Sequence, residues 1–388
     1  MKSRLRPTWL EIDISALKNN VRELRRRIGP DRLLYAVVKA NAYGHGADIV
    51  APPALEAGAD RLAVAALNEA VWLRQAGLDA PILVLGYTPP DDAETLLEHS
   101  LTATVYDRGT ALAYADVAAR QGKKMTVHLK VDTGMHRLGV DHLAATDLCA
   151  QIDREENLHV EGIYTHFSTA SQADQSYARE QLRRFTTLLA RLADAGFRPP
   201  VAHAANSAAT LALPDSHLDA VRCGILLYGL SPGSECPAPP QMGPVLSWKA
   251  RVAQVRRLGA GEPVSYGNSW RAPHSCTVAV VPVGYADGFP RSPRTWQSVM
   301  IGGREAPIVG RVCMDQTIVD VTGIVESGVD VAQDDEVVLI GLQQGQAISA
   351  DTVATRLDTI HYEVTSRLMA RLPRIAVVEG QGLPLQKS

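Results

Sequence analysis

The sequence predicts an α/β chain, an N-terminal (β/α)8 TIM-like barrel followed by a mainly β domain, and three observations predict it. Eight short apolar runs, at 33–39, 61–65, 82–86, 102–106, 125–131, 159–166, 201–205 and 221–226, alternate with helical stretches. Such alternation demands parallel strands with right-handed crossovers, and eight repeats in roughly 230 residues fit a closed barrel. Past the turn-rich segment Ser231–Pro240, β-branched runs alternate with Gly and Pro, and helical pattern is scarce until about 349–357.

Taken in order, Ser15 is placed to cap a helix in which Leu17, Val21, Leu24 and Ile28 recur at helical spacing, and Gly29-Pro30 stops it. The opening strand, 33–39, ends in Lys39. A helix over 47–57 follows, and Pro52-Pro53 inside it is expected to kink or restart it. Helical stretches at 68–76, 91–99, 109–121, 141–151 and 174–195 separate the next strands, with Gly77, Gly122 and Gly196 at helix ends. In the second domain, strands are expected at 246–256, 276–283, 298–301, 306–309, 316–321 and 336–341. The boundaries are therefore 1–240 for the barrel and 241–388 for the β domain, with the first residues free to join the latter. Small all-β modules leave open edges and faces, which oligomers often cover.

With 388 residues, of which 46% are hydrophobic, the chain can bury more than one core. A net charge of -3 and a pI near 6.4 leave no footprint for nucleic acid or an anionic membrane. Five scattered cysteines, Cys149, Cys223, Cys236, Cys276 and Cys313, form neither a zinc spacing nor a disulfide framework. No apolar stretch follows the basic start Met1–Pro7, and no run is long enough to span a bilayer. A cytoplasmic protein without metal is expected.

Chemistry in such barrels sits at the C-terminal strand ends. The residues just after the predicted strands include Lys39, Asp132, His166, Asn206, Ser207 and Arg222. A lysine directly after a buried strand either reaches out to water or is held in a cleft, where desolvation lowers its pKa and makes it a nucleophile. The polar company at the other strand ends favours the second reading.

Whole motifs also match a family. They are Ala36-Val37-Val38-Lys39-Ala40-Asn41-Ala42-Tyr43-Gly44-His45-Gly46, Lys130-Val131-Asp132-Thr133-Gly134-Met135, Thr165-His166-Phe167, Asn206-Ser207 and Arg222-Cys223-Gly224-Ile225. Further along they are Val264-Ser265-Tyr266-Gly267, Val283-Gly284-Tyr285-Ala286-Asp287-Gly288, Gly310-Arg311-Val312-Cys313-Met314-Asp315-Gln316 and Leu372-Pro373-Arg374. In these the chain resembles the alanine racemases, pyridoxal-phosphate (PLP) isomerases of barrel-plus-β-domain architecture that interconvert L- and D-alanine for cell-wall peptidoglycan.

The resemblance implies roles residue by residue. Lys39 would hold the cofactor aldehyde and act as one base, and Tyr266, from the other subunit of a homodimer with shared active sites, as the base on the opposite face. His166 and Arg222 would assist Tyr266. Arg222 would face the pyridine nitrogen, and as a group that only donates it would keep that nitrogen unprotonated. Ser207, with Asn206 before it and the N–H groups of Gly224 and Ile225, would hold the phosphate, joined by the hydroxyls of Tyr43 and Tyr362. Arg137 and, from the partner chain, the Met314 N–H would bind the alanine carboxylate, and Tyr285 would line the entry. Lys130 resembles the lysine that many family members carbamylate, which would make it an anion beside Arg137. His136 stands where a glycine is commoner, so the local turn is expected to differ. Two alternatives stay open: a PLP racemase for serine or another small amino acid, and a non-catalytic PLP-carrying barrel.

Overall fold

The computed structural model describes residues 6–292 and 294–378. The chain divides into two compact units. One holds Ala16–Ala42 and Ala47–Pro244; the other holds the residues up to Ser15, Tyr43–Gly46 and those from Val245 onward.

In the first unit, strands Leu33–Val37, Arg61–Val64, Ile82–Val84, Ala103–Val105, Met125–Asp132, Leu158–Tyr164, Val201–His203 and Ala220–Cys223 pair in parallel. Strand Ala220–Cys223 returns to pair with Leu33–Val37. At the other junction one parallel bridge, Leu83 to Thr102, closes the ring. These are the eight runs read from the sequence. Being walled by helices on one side and by one another inside, they are mostly buried on both faces, and the residues of Ile82–Val84 and Ala103–Val105 are all buried.

Two local readings need correction. The first helix runs Ile14–Ile28, so Ser15 lies in its first turn rather than before it. The next, Ala47–Glu56, continues through Pro52 and Pro53 without restarting. The helix ends hold as expected: Gly77, Gly122 and Gly196 take φ of +82°, +63° and +80°.

The second unit is mainly β. Its larger sheet has the order Arg304–Pro307, Ser298–Ile301, Glu336–Gln343, Leu246–Arg251, Thr8–Asp13, Arg374–Val377, with Gln346–Ile348 added beside Glu336–Gln343. Thr8–Asp13 thus sits inside this sheet, antiparallel to Leu246–Arg251 and parallel to Arg374–Val377. The run expected as one strand at 246–256 is two. Leu246–Arg251 stays in the larger sheet, whereas Gln254–Leu258 pairs with Cys276–Val281 in a three-stranded sheet completed by Thr317–Asp320.

An aromatic cluster packs this unit although aromatics make up only 5% of the chain. Trp248 meets Phe289 and Trp296 edge-on at 5.9 and 5.4 Å, and its indole N–H donates to the Thr8 hydroxyl at 3.0 Å. Trp248→Ala is expected to lower stability by about 3–5 kcal/mol, read as a fall in the denaturant midpoint.

Candidate active site

Just past the first barrel strand the backbone enters a conformation that L-residues rarely sustain. Ala40, Asn41 and Ala42 lie near φ/ψ of +51°/+48°, +52°/+51° and +53°/+50°, and Tyr43 has φ +53°. Left-handed backbone costs roughly 1–2 kcal/mol per residue and persists where the surroundings over-determine it. Glu69 does much of that. One carboxylate oxygen accepts the Ala40 N–H at 2.6 Å, and the other accepts Ala65 and Ala66 N–H at 2.8 and 3.2 Å. Asn41 Oδ1 accepts the Ala47 N–H at 2.8 Å. Farther on, a side chain at Gly44 is excluded, since its Cβ would lie 1.9 Å from the Thr365 carbonyl oxygen.

The turn fixes where Lys39 begins. Its side chain is half-buried, and burial first, then the Arg137 guanidinium, push its amine below the ordinary value, with Glu69 partly offsetting them. Lys130 is buried in strand Met125–Asp132 with its Nζ 5.3 Å from the Tyr164 ring centre. Burial, then Arg222, Arg137 and Lys39, bring it down to about 8. A small cavity is lined by Lys130, Asp132, Met135, Arg137 and His166. Arg137 is exposed, and its fork makes no hydrogen bond or ion pair among the described residues. Burial raises Asp132, but N–H bonds from Gly134, Met135 and His136, and the His136 ring, outweigh it and hold the carboxyl low. His136 takes φ +54° there, a left-handed turn residue leaning back on Asp132 at 3.3 Å.

Arg222 is buried and meets no carboxylate among the described residues. Nη1 donates to His203 Nδ1 at 2.8 Å and to the His203 carbonyl at 3.2 Å. Nη2 donates to the carbonyls of Thr165 and Ala204 and to His166 Nδ1, at 2.7, 3.1 and 3.2 Å. Nε–H is the guanidinium donor with no partner among the described residues. Burial lowers Arg222 to about 10, still protonated at neutral pH. Burial, then Arg222, Arg137, Lys130 and Lys39, hold His166 well below its ordinary value, so it accepts from Arg222 as a neutral ring.

After the seventh strand, Asn206 Oδ1 caps the short helix Ser207–Ala212 through the Ala209 N–H at 2.9 Å. Ser207 Oγ accepts the Gly224 N–H at 3.0 Å, so Ser207 and the Gly224-Ile225 turn adjoin at the ends of strands seven and eight.

In the β unit, Tyr43 and Tyr362 face each other with ring centres 6.1 Å apart. Tyr266 stands on a turn with Ser265 at φ +63° and Gly267 at +75°, and is 66% exposed. Ser265 Oγ donates to the Arg311 carbonyl, and Tyr285 and Ala286 N–H donate to the carbonyls of Cys313 and Met314 at 3.1 and 3.0 Å. Tyr266, Tyr285 and Met314 therefore belong to loops tied together, and all three are exposed. Asp315 pairs with Arg371.

Two family models match, the alanine racemase N-terminal domain over residues 12–232 and the alanine racemase C-terminal domain over 245–376. An alanine racemase of Desulfovibrio desulfuricans is 43% identical over 372 residues, 96% of this chain and 98% of that protein. The chain belongs to the alanine racemase family. Among solved structures, alanine racemase from Clostridium difficile superposes with a TM-score of 0.92 at 33% identity, covering 99% of this chain and 98% of that one. A histidine racemase from Leuconostoc mesenteroides gives 0.88 at 29% identity, covering 97% and 99%.

Membership in the alanine racemase family implies dependence on PLP and an active enzyme, so the non-catalytic alternative falls. The residues present fit that cofactor. Lys39, Lys130, Arg137 and Arg222 are four cations, and the carboxylates that partly offset them are Asp132 and Glu69. A phosphate, a phenolate oxygen and a substrate carboxylate would supply the missing negative charge, and the unspent Nε–H of Arg222 suits a neutral ring nitrogen. Glu69, His128 and His203 were missed in the sequence. Glu69 carries a helix-start signal, an acid three residues into the helix beginning at Leu67, and the two histidines fall within buried stretches of their strands.

Lys130 sets a pH dependence whose sign follows from its lowered pKa. Below about pH 8 it is protonated both folded and unfolded, and the folded state bears the cost of burying the charge. Above that, the folded chain sheds the proton and the unfolded chain keeps it, so stability rises with pH until the unfolded lysine titrates. In protein prepared without PLP or bicarbonate, Lys130→Met is expected to abolish that rise and to stabilise the fold at pH 7 by on the order of 3 kcal/mol, read from urea midpoints across the pH range.

Proposed function

We propose that the barrel mouth binds PLP and that the chain interconverts L- and D-alanine by proton transfer between two bases, providing D-alanine for peptidoglycan. The observation carrying this reading is the buried Arg222, its Nη groups spent on carbonyls and neutral imidazoles and its Nε–H left over, within a cluster of four cations. Bound there, PLP withdraws electron density from the substrate Cα and so acidifies its proton.

The chain's own residues do the rest. Burial, then Arg137, lower the Lys39 amine and so favour the neutral form that attack on an aldehyde and later proton removal from Cα both require. Arg222 only donates, so it holds the ring nitrogen unprotonated and moderates electron withdrawal, which favours reprotonation over side reactions. Arg137 offers its free fork to the alanine carboxylate, with the Met314 N–H of a second copy of the chain as a further donor. Ser207, Gly224 and Ile225 receive the phosphate, where barrels commonly bind one, and Asn206 holds their helix in place. Tyr43 and Tyr362 add hydroxyls to that phosphate. The lowered Lys130 amine is neutral often enough to take up carbon dioxide, and the resulting carbamate would turn a repelling cation into an anion beside Arg137.

Racemisation needs a base on each face of Cα, because a carbanion reprotonated from one side keeps its configuration. Tyr266, exposed on its turn, is assigned to the second face from a second copy of the chain, with His166 and Arg222 assisting and Tyr285 lining the entry. Exposure of Tyr266, Tyr285 and Met314 on linked loops supports a homodimer that covers them. No helix among the described residues is long and apolar enough to cross a membrane, and a cytoplasmic setting belongs to the same proposal. The histidine racemase shares this fold, so a racemase assay across the common amino acids decides the side chain, and alanine is expected to be fastest.

Lys39→Ala is expected to lose the visible absorbance of bound cofactor together with activity; retained absorbance would reject Lys39 as the anchor. Tyr266→Phe is expected to slow α-proton exchange from one enantiomer by about 10²–10⁴-fold and to spare exchange from the other, measured with α-deuterated L- and D-alanine. Mixing these two inactive variants is expected to restore activity in hybrid dimers, and its absence in confirmed hybrids would place both bases on one chain.

A further inference from the structure

Arg222 has a second connection, running away from the site through the barrel interior. His203, which accepts from Arg222 at Nδ1, lies with its Nε2 2.8 Å from His128 Nδ1. His128 Nε2 lies 3.1 Å from Glu161 Oε2, and the same oxygen accepts Arg61 Nη1 at 2.7 Å. Arg61 is the first residue of its strand, at the opposite end of the barrel from Lys39. The rings are buried and packed: His203 stacks between Tyr35 at 5.3 Å and Tyr164 at 4.8 Å.

One end of this chain can only donate and the other only accepts, which leaves a single arrangement for the protons between them. Arg222 donates to His203 Nδ1, so His203 carries its proton on Nε2 and donates to His128 Nδ1. His128 then carries its proton on Nε2 and donates to Glu161. Every hydrogen bond points from guanidinium to carboxylate. Burial keeps both rings below their ordinary pKa, so they serve as neutral links. The hydrogen bond from His128, then that from Arg61, outweigh burial and hold Glu161 down at about 2.

Two backbone features admit this contact. Val127 pairs with Val160 but His128 pairs with Gly162, so Glu161 is the extra residue of a bulge, and bulges re-aim side chains. The His128 ring lies over Gly162, where any Cβ would stand 2.5 Å from the ring's Cε1. Neither is needed to fill a barrel; together they bring a carboxylate to an interior histidine.

We propose that Glu161 is a positioning residue for Arg222, acting through His128 and His203: by accepting from His128 it locks both rings with Nδ1 bare, and so presents Arg222 with the acceptor that orients its guanidinium toward the cofactor ring. The proposal rests on the reading that Arg222 faces the pyridine nitrogen. Because one oxygen of Glu161 accepts both donors, and Oε1 has no partner among the described residues, a glutamine can replace it through its amide oxygen. Leucine cannot.

The test compares Glu161→Leu with Glu161→Gln in the full chain. In cofactor-free protein labelled with ¹⁵N-histidine, wild type and Glu161→Gln are expected to show His128 and His203 with Nδ1 unprotonated, and Glu161→Leu a second tautomer for His128. In the PLP-loaded enzyme, Glu161→Leu is expected to lose about 10-fold or more in kcat with little change in KM for alanine, and to bind PLP more weakly by absorbance titration. Glu161→Gln is expected to stay within about 3-fold of wild type, as rescue by an acceptor of the same shape requires. Wild-type ring tautomers and rate in Glu161→Leu, or a Glu161→Gln as impaired as the leucine variant, would overturn the proposal. If Glu161→Leu fails to fold because Arg61 is left unpaired, Arg61→Leu/Glu161→Leu removes both charges and is expected to show the same kinetic loss; a wild-type rate there would also overturn it. Arg222→Lys separates the two readings. If it leaves PLP affinity and rate untouched, the assignment of Arg222 has failed; if it impairs both while Glu161→Leu does not, only the relay has failed.

Discussion

A guanidinium cannot shed its proton to escape a dry environment, so the barrel mouth has to be arranged around the charge of Arg222. Three backbone carbonyls and two imidazoles take its Nη protons, and the Tyr164 ring presents a face to it at 5.1 Å. That arrangement has consequences for every neighbour. Burial, then Arg222, keep His166 neutral, so that it accepts. Burial, then Arg222, Arg137 and Lys39, drive Lys130 toward neutrality. Burial pushes the Tyr164 hydroxyl up to about 12, and Arg222 does not undo it. The outcome is a barrel mouth in which both lysine amines lie below their ordinary pKa.

The two units differ for the same physical reason. The barrel unit holds buried, strongly shifted groups fixed by strand ends. The β unit carries an exposed tyrosine and an exposed methionine on turns. A buried scaffold is where pKa values can be moved, since desolvation is the largest lever on them, and a surface turn is where a side chain can be offered to another molecule.

Much of this was readable in the sequence because the signals were local. All eight barrel strands came from apolar runs punctuated by glycine, and Lys39, Lys130, His166, Ser207 and Arg222 do stand at one end of the ring. What escaped depends on pairing between distant residues. Thr8–Asp13 carries no mark of lying between Leu246–Arg251 and Arg374–Val377. The run 246–256 shows no composition change where it passes from one sheet to another. Nor does strand Leu158–Tyr164 reveal that Glu161 is a bulge, since a one-residue slip is visible only against the partner strand. The proline pair at 52–53 misled for a different reason: burial of Val50, Ala51, Pro53 and Ala54 holds that helix against its intrinsic preference.

The left-handed stretch Ala40–Tyr43 bears on how such an enzyme can drift over generations. Glycine at 40, which is exposed, would relieve the strain that alanine bears there, at the expense of a looser unfolded and folded backbone, whereas at the fully buried Ala42 it would also lose a packed methyl. Keeping a methyl at 40 forgoes stability in exchange for stiffness directly beside Lys39. Selection on thermostability alone would therefore pull this codon toward glycine, which makes this loop a place to look for antagonism between stability and turnover in laboratory evolution.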